Sequence, residues 1–142
     1  MNWWRKECNK WCYARFEDGK FGDQKYLDDW MIRFDCIHEL QHIGGGVAPW
    51  NIQQYEVVDE QSKLHGIEKA SGKKFELVFY HFHGLRFLEN NEVDLCEYQL
   101  SSSDIDLIYK PYLKHLEQVK INLLKVDKNI KVNEEYIPEK SL

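Results

Sequence analysis

Apolar residues recur at helical spacing over residues 2–17, which read as a helix. Trp4, Cys8, Trp11 and Cys12 share one face, with Arg15 as its charged member. The two glycines of "EDGKFG" end that pattern. A second helix is expected over residues 24–34, "QKYLDDWMIRF", with Asp23 as its N-cap and Tyr26, Leu27, Trp30 and Phe34 on one side. The pattern then changes character. Residues 53–60 ("QQYEVVDE") and 63–70 ("KLHGIEKA") read as strands, and "ASGKK" as the turn to a third. That third run, residues 75–84 ("FELVFYHFHG"), is the strongest strand signal in the chain. Residues 85–94 read as a loop and 95–100, "LCEYQL", as a short strand. Ser103 and Asp106 stand at capping-box spacing and open a short helix. Pro111 begins another, carrying Tyr112, Leu113, Leu116, Val119 and Leu123. The expected class is α+β, a small mixed sheet flanked by helices over residues 1–126, with residues 127–142 as a polar C-terminal tail.

A chain of 142 residues is long enough to bury one core. Its 24 acidic against 19 basic residues leave a net charge of −5, so no basic face for nucleic acid is expected. The N-terminal residues have no apolar stretch of the signal-peptide kind, and no apolar run is long enough for a transmembrane segment. Cys8, Cys12, Cys36 and Cys96 form no CxxC pair, which argues against a zinc ribbon; they read as reduced core thiols of a cytoplasmic protein. The abundance of aromatic rings matters more: five Trp, eight Tyr and seven Phe can fill a core and can also line a site that grips amphipathic ligands.

Two stretches carry candidate chemistry. His38-Glu39-Leu40-Gln41-His42 spells HExxH, in which two histidines four apart on a helix bind zinc and the glutamate polarises a water. Such a site would make the chain a zinc-dependent hydrolase. The local pattern argues against it. Gly44, Gly45 and Gly46 follow His42 almost at once, "CIHEL" fits a short strand entering a loop, and Ala48 stands where the extended motif places a third histidine.

The second set is dispersed: Asp23-Gln24, then Trp50-Asn51, then His81-Phe82-His83-Gly84 with Arg86 close behind. In order and spacing, from about residue 10 to 115, these elements make the chain resemble the C-terminal half of sugar-nucleotide-dependent glycosyltransferases, of family 8 and related bacterial polysaccharide enzymes. The resemblance implies Asp23 and Gln24 as catalytic residues beside the sugar. It implies Trp50, Asn51, Gly84 and Arg86 as substrate contacts, with Arg86 on the departing diphosphate. His81 and His83 are implied as ligands of a divalent metal, Mn or Mg, in the complete enzyme. The fold it implies is the C-terminal part of a nucleotide-diphospho-sugar transferase α/β fold. The chemistry is coherent, because a cation and a basic side chain offset the charge that develops on a leaving diphosphate.

The N-terminal nucleotide-binding half of such enzymes and its DXD motif have no counterpart here; Asp104 and Asp106 lie beyond the histidines, in the wrong order. The expectation is therefore a partial transferase domain, inactive alone, that adds acceptor, donor-sugar and diphosphate contacts to transfer from a nucleotide sugar to a glycan or lipopolysaccharide-type acceptor. Its expected partners are the missing half or further copies in a homo-oligomer. Its expected place is the cytoplasm or the inner face of the membrane. A non-catalytic carbohydrate-binding or interaction module is the remaining alternative.

Overall fold

The computed structural model describes residues 2–89, 92–131 and 133. The fold is a small α+β one, in two compact units, residues 1–41 and 42–142. Among the described residues no helix is long and apolar enough to cross a membrane. Most of the polar tail, residue 132 and residues 134–142, lies outside the described residues.

The first unit begins with α1, Asn2–Lys10, shorter than the helix over residues 2–17 that the spacing predicts. The chain leaves the helix at Trp11, whose carbonyl accepts from the Tyr26 hydroxyl at 2.9 Å and whose indole donates to Glu17 at 3.1 Å. Asp18 and Gly19 then turn the chain through positive φ. The second expected helix is also broken, into a 3-10 turn at Gln24–Leu27 and a short α2 at Trp30–Arg33. The break falls at Asp28-Asp29, two poor helix formers, each ion-paired away from the helix core, to Lys25 and Arg33 respectively. Edge-to-face contacts join Trp3 to Tyr26 and Phe34, and Trp30 to Trp4 and Phe34. No described residue of this unit is fully buried, and two of the expected core thiols, Cys12 and Cys36, are exposed. A layer of rings holds it together in place of a core.

The second unit does have a core: Val47, Ile52, Val57, Phe75, Tyr80, Ile108 and Tyr109. Three antiparallel strands, β1 Tyr55–Glu60, β2 Lys63–Glu68 and β3 Lys74–Glu76, form its main sheet in the order β1-β2-β3. Gln61 and Ser62 link the first pair, both at positive φ, the conformation a tight two-residue hairpin needs. Gly66 has no side chain because Phe75, opposite in the register, lies across it; a Cβ there would come within 2.6 Å of the ring Cε2.

The strongest strand signal is only partly realised. The sheet ends at Glu76, though the chain stays ordered. Leu77 still donates to Leu64, but the amides of Val78 and Phe79 both turn to the carbonyl of Gly44, at 2.9 Å each. Tyr80 then bridges Val47 in parallel, which is where the parallel character among the described residues is found. The segment has exchanged one partner strand for the loop at 43–47. Residues 85–94, expected as a loop, contain two short antiparallel strands, β4 Arg86–Phe87 and β5 Val93–Asp94. The expected strand at 95–100 is absent. Cys96 stands at φ +63 and its amide donates to the Asp94 carboxylate, and both features break an extended run.

The capping box is real but two residues earlier than the spacing predicts. Ser101 and Asp104 exchange bonds, Asp104 N–H to Ser101 Oγ at 3.1 Å and Ser101 N–H to Asp104 Oδ2 at 2.7 Å. The helix runs on from α3, Ser102–Asp104, through a π turn at Ile105–Tyr109 into α4, Lys110–Val126. Pro111 lies in the first turn of α4, as expected, without interrupting it. The π turn carries Ile108 and Tyr109 into the core, where the Tyr109 and Tyr80 hydroxyls share a hydrogen bond of 3.0 Å.

Candidate functional site

Four rings of the second unit meet at one place. The loop 47–51 is pinned to the extended segment after β3 by the Tyr80 bridge and by the His81 amide, which donates to the Val47 carbonyl at 2.9 Å. That pairing sets Trp50 beside both histidines, with ring centroids 5.3 Å from His81 and 5.7 Å from His83. The two imidazoles are nearly parallel, 5.9 Å apart and 22° inclined. Tyr98 closes the group, its ring 6.5 Å from Trp50 and its hydroxyl 3.0 Å from His83 Nδ1. Trp50 is 54% exposed, and both histidines are exposed. The result is an open aromatic platform edged with ring nitrogens. It can stack on the apolar face of a ring-shaped ligand and hydrogen-bond its hydroxyls.

The other expected site residues of this unit have structural partners. Asn51 clamps its own turn: its Oδ1 accepts from the buried Ala48 amide at 2.8 Å and its Nδ2 donates to the Gly46 carbonyl at 2.9 Å. Gly84, at φ +73, is in contact with Cys96, and a Cβ on it would run into that thiol. Arg86 is ion-paired with Asp94 at 2.7 Å. The Asp94 carboxyl is held below the usual carboxylate range, first by the Cys96 amide and then by Arg86.

Asp23 and Gln24 belong to the first unit, and both are exposed. Asp23 does not cap the turn that follows it with its side chain; its backbone carbonyl accepts from the Trp4 indole at 3.0 Å. His38, Glu39 and His42 lie in a stretch without helix, so the one-face pairing that HExxH chemistry needs is not formed. Among the described residues no group of three or more His, Cys, Asp or Glu could hold a metal ion. The His81–His83 pair therefore supplies at most two nitrogens, whereas Mn and Mg favour a shell of oxygens. The described residues do not fit as a divalent-metal site on their own.

Tyr98 is the member of the platform that sequence reasoning missed. It sits in what read as a short strand, and its one signal was that it is an aromatic residue in a chain rich in them.

The chain is similar to two proteins of Bacillus subtilis (strain 168), both named as uncharacterized. It is 30% identical to YfnD over 119 residues, 81% of this chain and 36% of YfnD. It is 27% identical to YfnF over 119 residues, 84% of this chain and 37% of YfnF. The chain thus spans little more than a third of the length of either relative. No family model matches it. No solved structure matches it either.

Proposed function

We propose that the chain is a sugar-contacting part of a nucleotide-sugar-dependent glycosyltransferase. The observation that carries this reading is the open platform of Trp50, His81, His83 and Tyr98. Pyranose rings present an apolar face and an equatorial rim of hydroxyls. An exposed indole with imidazoles and a phenol at its edge matches that shape. The order of the elements along the chain, from Asp23-Gln24 through Trp50-Asn51 to His83-Gly84 and Arg86, is the order the resemblance implies.

Each residue has a task in this reading. Trp50 stacks on the sugar, and His81, His83 and Tyr98 bond its hydroxyls. Arg86 meets the departing diphosphate, its guanidinium directed by Asp94. Asn51 and Gly84 serve indirectly, one fixing the turn that presents Trp50 and the other fixing the turn after His83. A divalent ion in the complete enzyme would take its oxygen ligands from outside the described residues. The two relatives, with about two thirds of their length beyond the match, have room for such residues.

Saturation-transfer NMR tests the reading, with nucleotide sugars compared against the matching free sugars. Saturation of pyranose protons is expected, with an affinity loss of about tenfold on Trp50→Ala, corresponding to roughly 1.4 kcal/mol of stacking. Sugar binding that ignores Trp50→Ala, or no sugar binding at all, refutes the proposal. Equal affinity for free and nucleotide-linked sugars would favour a plain carbohydrate-binding module, which the same platform could serve.

A further inference from the structure

The second unit has a cleft that the reading above does not use. It has a volume of about 270 Å³ and is bounded by Gln53, Tyr55, Lys69, Ser101 and Asp104 among others. That is just under the roughly 300–1000 Å³ of sites for drug-sized ligands, and suits one small ring.

The charges around it narrow the ligand. Asp104 is only 4% exposed, yet it lines the cleft. Its Oδ2 accepts from the Ser101 amide at 2.7 Å, and the same carboxylate borders the cleft. The positive end of the long helix is thus already met by a carboxylate, which disfavours an anion. Lys69, tied to the Gln53 carbonyl at 2.8 Å, stands on the opposite side of the balance and disfavours a cation. A neutral ligand with several hydroxyls satisfies both: it donates to Asp104 and accepts from Lys69. The Tyr55 ring, half-buried, offers an apolar wall.

The cleft and the platform share their supporting chain. The Gln53 amide donates to the Pro49 carbonyl at 2.7 Å and to the Gln99 carbonyl at 2.9 Å. Pro49 and Gln99 are the immediate neighbours of Trp50 and Tyr98. One side-chain amide therefore ties together the two segments that carry platform residues and cleft residues in succession.

We propose that this cleft is a second carbohydrate subsite, which takes a hydroxyl-rich ring of the glycan acceptor while a neighbouring ring lies on Trp50. The proposal rests on the sugar-contacting reading of the platform. Asp104 accepts from a pair of ring hydroxyls, and Lys69 donates to a hydroxyl or ring oxygen.

The test is a titration of the isotope-labelled full chain, followed by amide and indole NMR shifts, with methyl glucoside, cellobiose and N,N′-diacetylchitobiose as probes. A disaccharide is expected to move the Trp50 indole together with the Lys69, Ser101 and Asp104 amides. Asp104→Asn, which keeps an acceptor for the Ser101 amide, should weaken disaccharide binding about tenfold and leave the monoglycoside response of Trp50 unchanged. Lys69→Met, outside the cap, should weaken it in the same direction and carries the test if Asp104→Asn does not fold. A moving Trp50 indole with still cleft amides overturns the subsite and leaves the platform reading standing. Stillness at both places overturns both. Cleft shifts with inorganic phosphate but not with the sugars overturn the subsite alone.

Discussion

Adding one methyl group to Gly44 tests how the second unit is held together. Gly44 is buried in the loop that follows His42, and its carbonyl accepts from both Val78 and Phe79 at 2.9 Å. A Cβ at this position would penetrate the carbonyl of Glu76, oxygen first, with the carbonyl carbon at 2.9 Å and His42 Cε1 at 3.0 Å. The exposed imidazole can swing aside. The carbonyl cannot, because it is the backbone of β3, and Glu76 pairs with His65 in β2. Relief comes only by lifting the loop away from the strand, and that stretches the two bonds to Gly44. Each such bond contributes about 0.5–1.5 kcal/mol, and forced over-packing costs about 1–3 kcal/mol more. Gly44→Ala should therefore lose roughly 2–6 kcal/mol, a large share of the 5–15 kcal/mol typical of a domain. Urea unfolding followed by far-ultraviolet circular dichroism measures this, with Gly46→Ala as the control. A Cβ on Gly46 meets nothing within 4 Å, so the control should stay within about 0.5 kcal/mol of the parent. If Gly44→Ala is as mild as Gly46→Ala, the loop does not pack on β3, and the placement of Trp50 beside the histidines loses its support.

Three further outcomes follow from named contacts. The Asp94 carboxyl is depressed in the folded state, so it favours folding above the ordinary carboxylate value of about 3.9 and loses that contribution as pH falls through its folded value. Asp94→Asn should flatten the acid limb of a stability-against-pH curve below about pH 4, and an unchanged limb would refute the pairing. Ser101→Ala should cost about 1 kcal/mol in thermal or urea unfolding and Ser103→Ala close to nothing, because Ser101 holds the cap; the reverse ranking would refute it. Tyr80→Phe leaves the buried Tyr109 hydroxyl without its partner and should cost about 1–3 kcal/mol by urea unfolding. A neutral result would show that water reaches Tyr109.

The hairpin of β1 and β2 was legible because alternation, β-branched residues and a polar turn agree there. The run 75–84 was half legible. Its composition is that of a strand throughout, but Val78 and Phe79 donate to Gly44 in place of β2, and a change of partner leaves no mark on local composition. The serines show a different limit. Ser101–Asp104 and Ser103–Asp106 both fit a capping box, and the choice is made by burial: Asp104 is buried and Asp106 faces solvent in an ion pair with Lys110. The helices of the first unit were over-extended because aromatic spacing was read as a continuous face. The rings instead pack across short turns and take up backbone carbonyls, as Tyr26 does at Trp11. At the site, Trp50, His81 and His83 were legible as residues that could grip a ligand. Tyr98 and the cleft at Asp104 were not, because they depend on which segments Gln53 draws together.

Trp50 and Asn51 are neighbours, both implied as substrate contacts, yet the structure gives them different kinds of task. Asn51 uses both ends of its amide to hold the turn, and one of its partners is the amide of Ala48, which is 1% exposed. A turn of this shape would select asparagine whether or not a sugar ever bound, so Asn51 is weak support for the resemblance. Trp50 leaves more than half its surface in water and makes ring contacts with residues that are themselves exposed. Folding alone gives little reason for a tryptophan there. The two substitutions should therefore separate. Asn51→Ala strands the Ala48 amide and should lower stability by about 1–3 kcal/mol, with sugar binding weakened because the turn no longer presents Trp50. Trp50→Ala should lower binding about tenfold while stability stays within roughly 1 kcal/mol, since little area leaves the interior. Urea unfolding and sugar titration on both variants decide the matter. If Trp50→Ala unfolds the second unit as readily as Asn51→Ala does, Trp50 is a packing residue, and the platform is a surface cluster of rings without a ligand.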